Sequence, residues 1–520
     1  MSASENSVAS SPQKKKKFGT GSIAVVFACG TSLFADGYVN GIAGSINTVL
    51  RRLYPAQYAG TNYSTLFSSL GFAGTVVGML SFGYFVDRVG RKSGMLASSA
   101  FIIVFVALSA GAYGAGGSTK GMLQALIAYR FLAGIGIGGE YPSGSVSASE
   151  STEEEGINPK IRHLLFGLAT NTAIDVGFVV AAFVPLVCIW IFSEDHLRAV
   201  WRVSYGLGVV PAALVLLWRL KAVQDTTSYK QSAIKRNVPY GLVFKRYWRS
   251  IVGVSLAWFI YDFIVYPFGL FSSEIVDTIT GGSTKLTTVF AWNVVINAFY
   301  LPGTIGGSFL LDWLGPKKQI IIFLCLQGVV GFIMSGLYKQ LSENVAPFAV
   351  IYGLFLSMGE AGPGLCLGLL ASKSWPTAVR GQLYGLAAAI GKVGAFVGTW
   401  AFPAIIDAFP VGPRQTSGPF WIGSGLAFLS AIIVLVLVPA IKTEHMKMED
   451  ALFKEYLIEH HYDVQVLSPS LCLFCPGSSL TIILIPMVSS KMGLLREGTL
   501  ESQLHPESSH DEEKKQISTT

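Results

Sequence analysis

Charge is scarce in this sequence. Asp, Glu, Lys and Arg together make up 13% of its 520 residues, about half the share found in an ordinary soluble domain. That scarcity excludes a water-solvated globule as the main body of the chain. Histidines number seven and form no metal-ligand cluster, and no nucleophile-base pair or phosphate-cradling Gly-Lys-Ser/Thr loop is present. We therefore expect no metal, no cofactor and no enzyme. Six cysteines supply no disulfide framework: Cys29, Cys188, Cys325 and Cys366 lie in apolar segments as small packed residues. Cys472 and Cys475 form a lone Cys-x-x-Cys without the second pair that zinc needs.

What the chain has in abundance is apolar sequence, 51% by residue with a mean hydropathy of +0.52. Runs close to twenty residues long recur, each able to cross a hydrocarbon core of about 30 Å as a helix. The expected spans are 20–44, 63–86, 93–114, 121–148, 164–192, 200–220, 250–272, 288–311, 319–338, 346–371, 381–407 and 418–441. The first of them is too long, and too poor in cleavage signals, for a secretory leader. The fold class is thus an all-α membrane protein of twelve transmembrane helices. The net charge of +7 sits in short connectors rather than on one surface, which points to membrane orientation and away from nucleic acid.

The domain organisation follows from the connectors. Residues 1–19, ending in Lys14 to Lys17, form a polar tail; 20–220 and 250–441 are six-helix halves; 221–249 joins them. That connector carries Lys221, Lys230, Lys235, Arg236, Lys245, Arg246 and Arg249. By the positive-inside rule it is cytoplasmic, and so are both termini and the tail 442–520. Asn62-Tyr-Ser64 is a glycosylation sequon on the other side, beside the second helix.

One pattern occurs in both halves. Gly83-Tyr-Phe-Val-Asp87-Arg88-Val-Gly90-Arg91-Lys92 stands between the second and third spans, and Ser308-Phe-Leu-Leu-Asp312-Trp-Leu-Gly315-Pro316-Lys317-Lys318 between the eighth and ninth. A carboxylate at a helix end, a glycine turn and flanking cations can latch neighbouring helices. Repeated at equivalent places, the pattern marks two pseudo-symmetric halves.

These motifs resemble those of the major facilitator superfamily. The first copy fits the family's Gly-x-x-x-Asp-Arg-x-Gly-Arg-Lys motif throughout, while the second lacks its opening Gly and the Arg pair. A further family motif, Arg-x-x-x-Gly-x-Gly-x-Gly, stands in the fourth span as Arg130, Gly134, Gly136 and Gly138. The resemblance covers roughly residues 20 to 445 and implies a transporter, functional as a monomer, whose halves alternate access around a central cavity.

Few charges lie deep in the spans, and each costs at least ~2.5 kcal/mol to insert. They are Asp36, Arg130, Glu140, Asp175, Asp262 and Lys392. Asp262 and Lys392 fall roughly 18 and 16 Å along their helices, near the bilayer midplane. Trp258, Asp262 and Tyr266 recur every four residues on one helical face. Such a stripe is often plain packing, but a carboxylate in its centre turns the reading toward a cavity wall. A lysine as deep as Lys392 must either pair with an acid or face an anion.

The surrounding sequence resembles the phosphate:proton symporter branch of the superfamily. Gly138-Gly139-Glu140-Tyr141-Pro142-Ser143-Gly144 is similar to its signature, which usually has Asp where Glu140 stands, and Trp258-x-x-x-Asp262-x-x-x-Tyr266, Gly391-Lys392-Val-Gly394 and Ala-Asp36-Gly-Tyr match as well. The resemblance implies that Lys392, Tyr141, Trp258, Asp262, Tyr266 and Glu140 surround a phosphate, and that Asp36 joins the proton path. Asp175 stands about where the branch has a Gln and is a further expected substrate-binding residue. Asp36, Glu140 and Asp262 are the candidate proton carriers.

Two departures refine the expectation. Gly359-Glu360-Ala-Gly362-Pro363-Gly364 has Gly where phosphate permeases usually have Asn after the proline, and Ala371-Ser372-Lys373-Ser374 replaces their connector. Both are similar to fungal glycerophosphodiester permeases of the glycerophosphoinositol type. The expected function is proton-coupled uptake of a small anionic glycerophosphodiester across the plasma membrane. Inorganic phosphate symport and a nutrient-sensing receptor on a transporter fold are the alternatives.

Beyond residue 465 an unrelated apolar stretch, 466–489, carries Pro469, Pro476 and Pro486, which interrupt any continuous helix. A thirteenth span would also carry the acidic end to the opposite face. We read the stretch as a retained intron, with a re-entrant or interfacial segment as the alternative.

Overall fold

The computed structural model describes residues 20–462, apart from 59–60, 155, 227–228, 231–237, 280–284 and 442–444, all within one compact unit, Met1–Ser468. The expectations for residues 1–19, for Lys235, Arg236, Cys472 and Cys475 and for 466–489 lie outside the described residues.

Among the described residues, twelve helices are long and apolar enough to cross a membrane: α1 (Ser22–Leu53), α2 (Tyr63–Arg88), α3 (Arg91–Ala110), α4 (Thr119–Thr152), α5 (Pro159–Phe192), α6 (Glu194–Ala222), α7 (Tyr240–Ser273), α8 (Leu286–Leu314), α9 (Pro316–Gly336), α10 (Val345–Lys373), α11 (Arg380–Asp407) and α12 (Arg414–Leu437). A shorter helix, α13 (His445–Glu459), follows. Two bounds differ most from the sequence expectation. α1 runs on to Leu53, because Ser45 to Leu50 are buried rather than solvated. α7 starts at Tyr240, inside the basic connector, because nothing after Pro239 breaks a helix and Val243 and Tyr247 bury themselves.

Close approach needs small residues, since lipid supplies no hydrophobic drive between helices. The motif glycines of α4 meet that need: a Cβ on Gly134 or Gly138 would stand 2.2 or 2.1 Å from the carbonyl oxygens of Gly71 and Thr75 in α2. Arg130 is buried beside them and donates to Val39 O of α1 at 3.0 Å and to Tyr205 OH of α6 at 2.8 Å. It therefore ties three helices together and does not face the cavity.

Several helices are broken where they pass the centre. α4 has a π-turn at Tyr141–Ser145 and α10 has one at Glu360–Gly364, each containing a proline that cannot donate to the ladder. α5 is interrupted at Thr170 and α8 at Phe299. The four irregularities free side chains of Tyr141, Asn171, Tyr300 and Glu360 to turn inward.

The two Asp-Gly latches occupy equivalent places. Asp87, at the end of α2, accepts from the backbone N–H groups of Gly381 at 3.0 Å and Gln382 at 2.8 Å, the first turn of α11. Asp312, near the end of α8, accepts from those of His163 at 3.3 Å and Leu164 at 2.9 Å in the first turns of α5. Each carboxylate caps a helix of the opposite half, where orphan N–H groups and the helix dipole favour an anion. Gly90 and Gly315 follow with φ of +138° and +75°, a region costly for any other residue.

Candidate functional site

A cavity of about 50 Å³ lies between the halves, walled by α4, α5, α7, α8, α10 and α11 with Leu33 of α1. Lys392 and Asp262 meet in its wall: Nζ lies 3.3 Å from Oδ2, and both side chains are buried. The ammonium also donates to Tyr266 OH and sits 3.8 Å from the centroid of that ring and 5.4 Å from that of Tyr141. Tyr266 is reached by Phe72 at 4.8 Å, so the aromatic seat is held from both halves.

Trp258 stands between Tyr141 and Tyr384, at ring separations of 6.4 and 5.8 Å. Tyr141 OH in turn donates to Asp36, whose other oxygen accepts from Asn40 at 2.5 Å. Asp36 thereby lies behind the cavity wall, one tyrosine away from the lysine.

The structure brings Lys392, Tyr141, Trp258, Asp262, Tyr266 and Asp175 to this one cavity. Glu140, expected beside them, is placed elsewhere. It points away from the cavity into a buried cage where Arg219 of α6 lies 2.7 Å from Oε2 and Ser98 and Ser99 of α3 donate to Oε1 at 2.7 and 3.0 Å. The one-residue offset between Glu140 and Tyr141 at the start of the π-turn sends their side chains to different sides of α4. The sequence alone had no signal for the Arg219 partner, which lies in the last turns of α6.

A second acidic group was not among the expected site residues. Glu360 of α10 lines the cavity near Asp175, and Asn171 Nδ2 donates to both carboxylates, at 3.0 Å to Glu360 Oε2 and 3.3 Å to Asp175 Oδ2. Tyr261 OH donates to Glu360 Oε1 at 2.7 Å. Gly364, one turn on, leaves the space that Glu360 occupies: a Cβ there would fall 2.2 Å from Glu360 Oε2 and 2.5 Å from Tyr261 OH. The signal that could have found Glu360 was its place among the few deep charges. Among the described residues no His, Cys, Asp or Glu group could hold a metal ion.

Toward the latch end the cavity is closed by buried ion pairs. Glu150 of α4 receives Arg91 at 3.1 Å and Arg380 at 3.0 Å, and Glu153 receives Lys373 of α10 at 2.9 Å. α13 lies across this closure: Asp450 accepts from Thr377 N and Oγ1, both at 2.6 Å, and Tyr247 OH donates to Glu449 at 2.5 Å. Burial pushes the Asp450 carboxyl above its usual range, with Arg380 pulling it back. At the opposite end the described residues also meet across the halves, Thr48 with Ser273 at 3.3 Å and the partly exposed Arg52 with Asp277 at 3.5 Å.

Twelve helices around a central, polar, ion-paired cavity, closed at one end by buried ion pairs, are the architecture of a membrane transporter. The chain belongs to the sugar (and other) transporter family, which it matches over residues 23–229 and 219–453, within the major facilitator superfamily. It is 43% identical to a glycerophosphocholine permease of Candida albicans over 85% of this chain and 84% of that one, and 41% identical to a major glycerophosphoinositol permease of the same organism over 85% and 83%. An inorganic phosphate transporter of Toxoplasma gondii is more distant, 27% identical over 71% of this chain and 63% of that protein. The proton:xylose symporter XylE, bound to 6-bromo-6-deoxy-D-glucose, shares the fold at a TM-score of 0.70 and 17% identity, over 83% of this chain and 98% of that one.

Proposed function

We propose that the chain takes up a glycerophosphodiester such as glycerophosphoinositol across the plasma membrane together with protons, by alternating access of the halves 20–220 and 250–441, with both termini cytoplasmic. The observation that carries this reading is Lys392, a buried ammonium held between Asp262 and the Tyr266 ring in a closed central cavity. A monoanionic phosphodiester there competes with Asp262 for the ammonium, while Tyr141, Trp258 and Tyr266 orient the organic part. A hydrogen-bonding anion site with aromatic walls suits a phosphate carrying substituents, and the permeases to which the chain is 41–43% identical support that substrate class.

The cycle follows from the contacts. Substrate enters from the end opposite the latches; release on the cytoplasmic side requires Glu150, Glu153, Asp87 and Asp312 to give up their partners in the opposite half. Proton-dependent uptake in cells lacking their own permeases tests the reading, with glycerophosphoinositol, glycerophosphocholine and inorganic phosphate in competition. Uptake dominated by inorganic phosphate would establish the alternative substrate, and signalling without flux would establish a receptor.

A further inference from the structure

The cavity wall holds more negative charge than its cation can match. Asp175, Asp262 and Glu360 face it with Lys392 alone opposing them, and Lys392 is already engaged by Asp262. Neither Asp175 nor Glu360 forms an ion pair among the described residues; both are buried and draw on the same donor, Asn171 Nδ2. That nitrogen has two hydrogens and a third acceptor, Thr304 Oγ1, at 3.2 Å. Two buried carboxylates served only by neutral donors, the Asn171 amide with the Thr304 and Tyr261 hydroxyls, are costly to keep ionised together, because each uncompensated charge forfeits its solvation; a proton shared between them removes the repulsion.

We propose that Asp175 and Glu360 together carry the coupling proton, and that Lys392 with Asp262 holds the substrate anion. This rests on the proton-coupled reading of the transporter. The titratable groups facing the pair are Tyr261, Asp262 and Tyr266 of α7, Tyr300 of α8 and Lys392 of α11, with Asp36 of α1 acting on Asp262 from behind the wall. Of these, Tyr261 already donates to Glu360, and none supplies a free cation. Across the cavity, Asp262 Oδ2 has no hydrogen-bond partner beyond its ion pair, so the wall as a whole is short of protons rather than of acceptors.

Coupling then needs no direct contact between proton and substrate. With the pair ionised, the cavity repels a phosphodiester anion; with a proton taken from outer water onto the pair, the cavity accepts one. The linkage is reciprocal, so the bound anion also holds the proton in place. On opening to the cytoplasm, loss of the anion frees the carboxylates to release the proton to inner water, and the empty carrier returns. Gly364 is part of the device, since only a residue without Cβ leaves Glu360 Oε2 where it stands.

The test uses the purified full chain in liposomes and radiolabelled glycerophosphoinositol. For one proton per monoanion, the unmodified protein concentrates the label about tenfold per pH unit of gradient, acid outside. In Glu360→Gln, and in Asp175→Asn, that ratio falls to about one, while exchange of external label against internal unlabelled substrate continues, reduced by less than about tenfold. The KM, which rises with pH in the unmodified protein, becomes flat in both variants. Variants that still concentrate substrate in step with the gradient overturn the proposal. So does loss of exchange and accumulation together in protein that reaches the bilayer folded, which marks a substrate-holding or structural role. An unmodified protein that exchanges but never responds to the gradient removes proton coupling itself, and with it the reading on which the pair depends.

Discussion

Glu150 and Arg380 meet at 3.0 Å with both side chains fully buried, and they come from opposite halves of the bundle. Glu150 ends the α4 motif of the first half; Arg380 opens α11 in the second. Arg91, from the Asp-Gly latch, reaches the same carboxylate oxygen at 3.1 Å, so two guanidinium groups share one acid, and Arg91 pairs with Asp87 as well.

Removing that acid should unlock one end of the transporter. Glu150→Gln leaves Arg91 buried with Asp87 and Arg380 buried with only Asp450, 3.8 Å away, as a close carboxylate, and breaking a buried pair on one side costs about 3–5 kcal/mol. The latched state should lose population by two orders of magnitude or more, and net uptake should fall with it. Labelling of a cysteine placed at Ser372, which is buried and donates to Ser149, would report the change. An unaltered labelling rate in Glu150→Gln would show that the latch is held by other contacts.

Lys392→Ala should abolish uptake in protein that still reaches the membrane. The ammonium is the only cation lining the cavity among the described residues, and its loss leaves Asp262 buried without a partner. Lys392→Arg should fail as well: a planar fork cannot take the place of a compact ammonium between Asp262 and the Tyr266 ring. Near-normal transport by the Ala variant refutes the anion site.

Most of the architecture was legible in the sequence, because crossing a bilayer demands long apolar helices and the Asp-Gly turns repeat. The latch was legible only as a motif. Its geometry, in which Asp87 caps α11 and Asp312 caps α5, joins residues nearly 300 and about 150 positions apart, and no local pattern carries such pairings. The stripe Trp258, Asp262 and Tyr266 could be read because helical periodicity puts them on one face. Glu140 and Glu360 were harder, since π-turns shift the register at both places and a regular helical wheel then assigns the wrong side.

The substrate preference should respond to Gly364. The sequence suggests that Gly there leaves room for an organic substituent; the structure shows Glu360 and Tyr261 using part of that room. Gly364→Asn must therefore push two flexible side-chain ends aside before its amide reaches the cavity. Competition should shift from glycerophosphodiester toward inorganic phosphate, with the maximal rate lowered severalfold by the displaced Glu360. If phosphate outcompetes glycerophosphodiesters in the unmodified protein, the alternative substrate is the correct one.

The last prediction concerns the two parts of the C-terminal tail, which should behave differently when cut. α13 is bound into the latch end: Phe453 and Leu457 are buried, Phe453 meets the Tyr247 ring at 6.0 Å, Asp450 caps Thr377 and Met446 Sδ accepts from Ser149 Oγ at 3.8 Å. Because Ser149 belongs to the first half and Thr377 to the second, α13 spans the seam that must part for release. Truncation after residue 465 keeps all of these contacts and should leave uptake within about twofold of the full chain. Truncation after residue 441 removes them, exposes the apolar surface under Phe453 and Leu457, and takes the carboxylate of Asp450 from Arg380, so the latched state should loosen by roughly 2–4 kcal/mol. Uptake of labelled glycerophosphodiester by the two truncations, normalised to surface protein, separates the parts. Equal uptake by both would show that α13 rests on the bundle without holding it. Transcript sequencing, or peptides from within 466–489 in the purified full-length protein, settles whether that stretch is translated; abundant peptides would end the retained-intron reading without touching the contrast between the cuts.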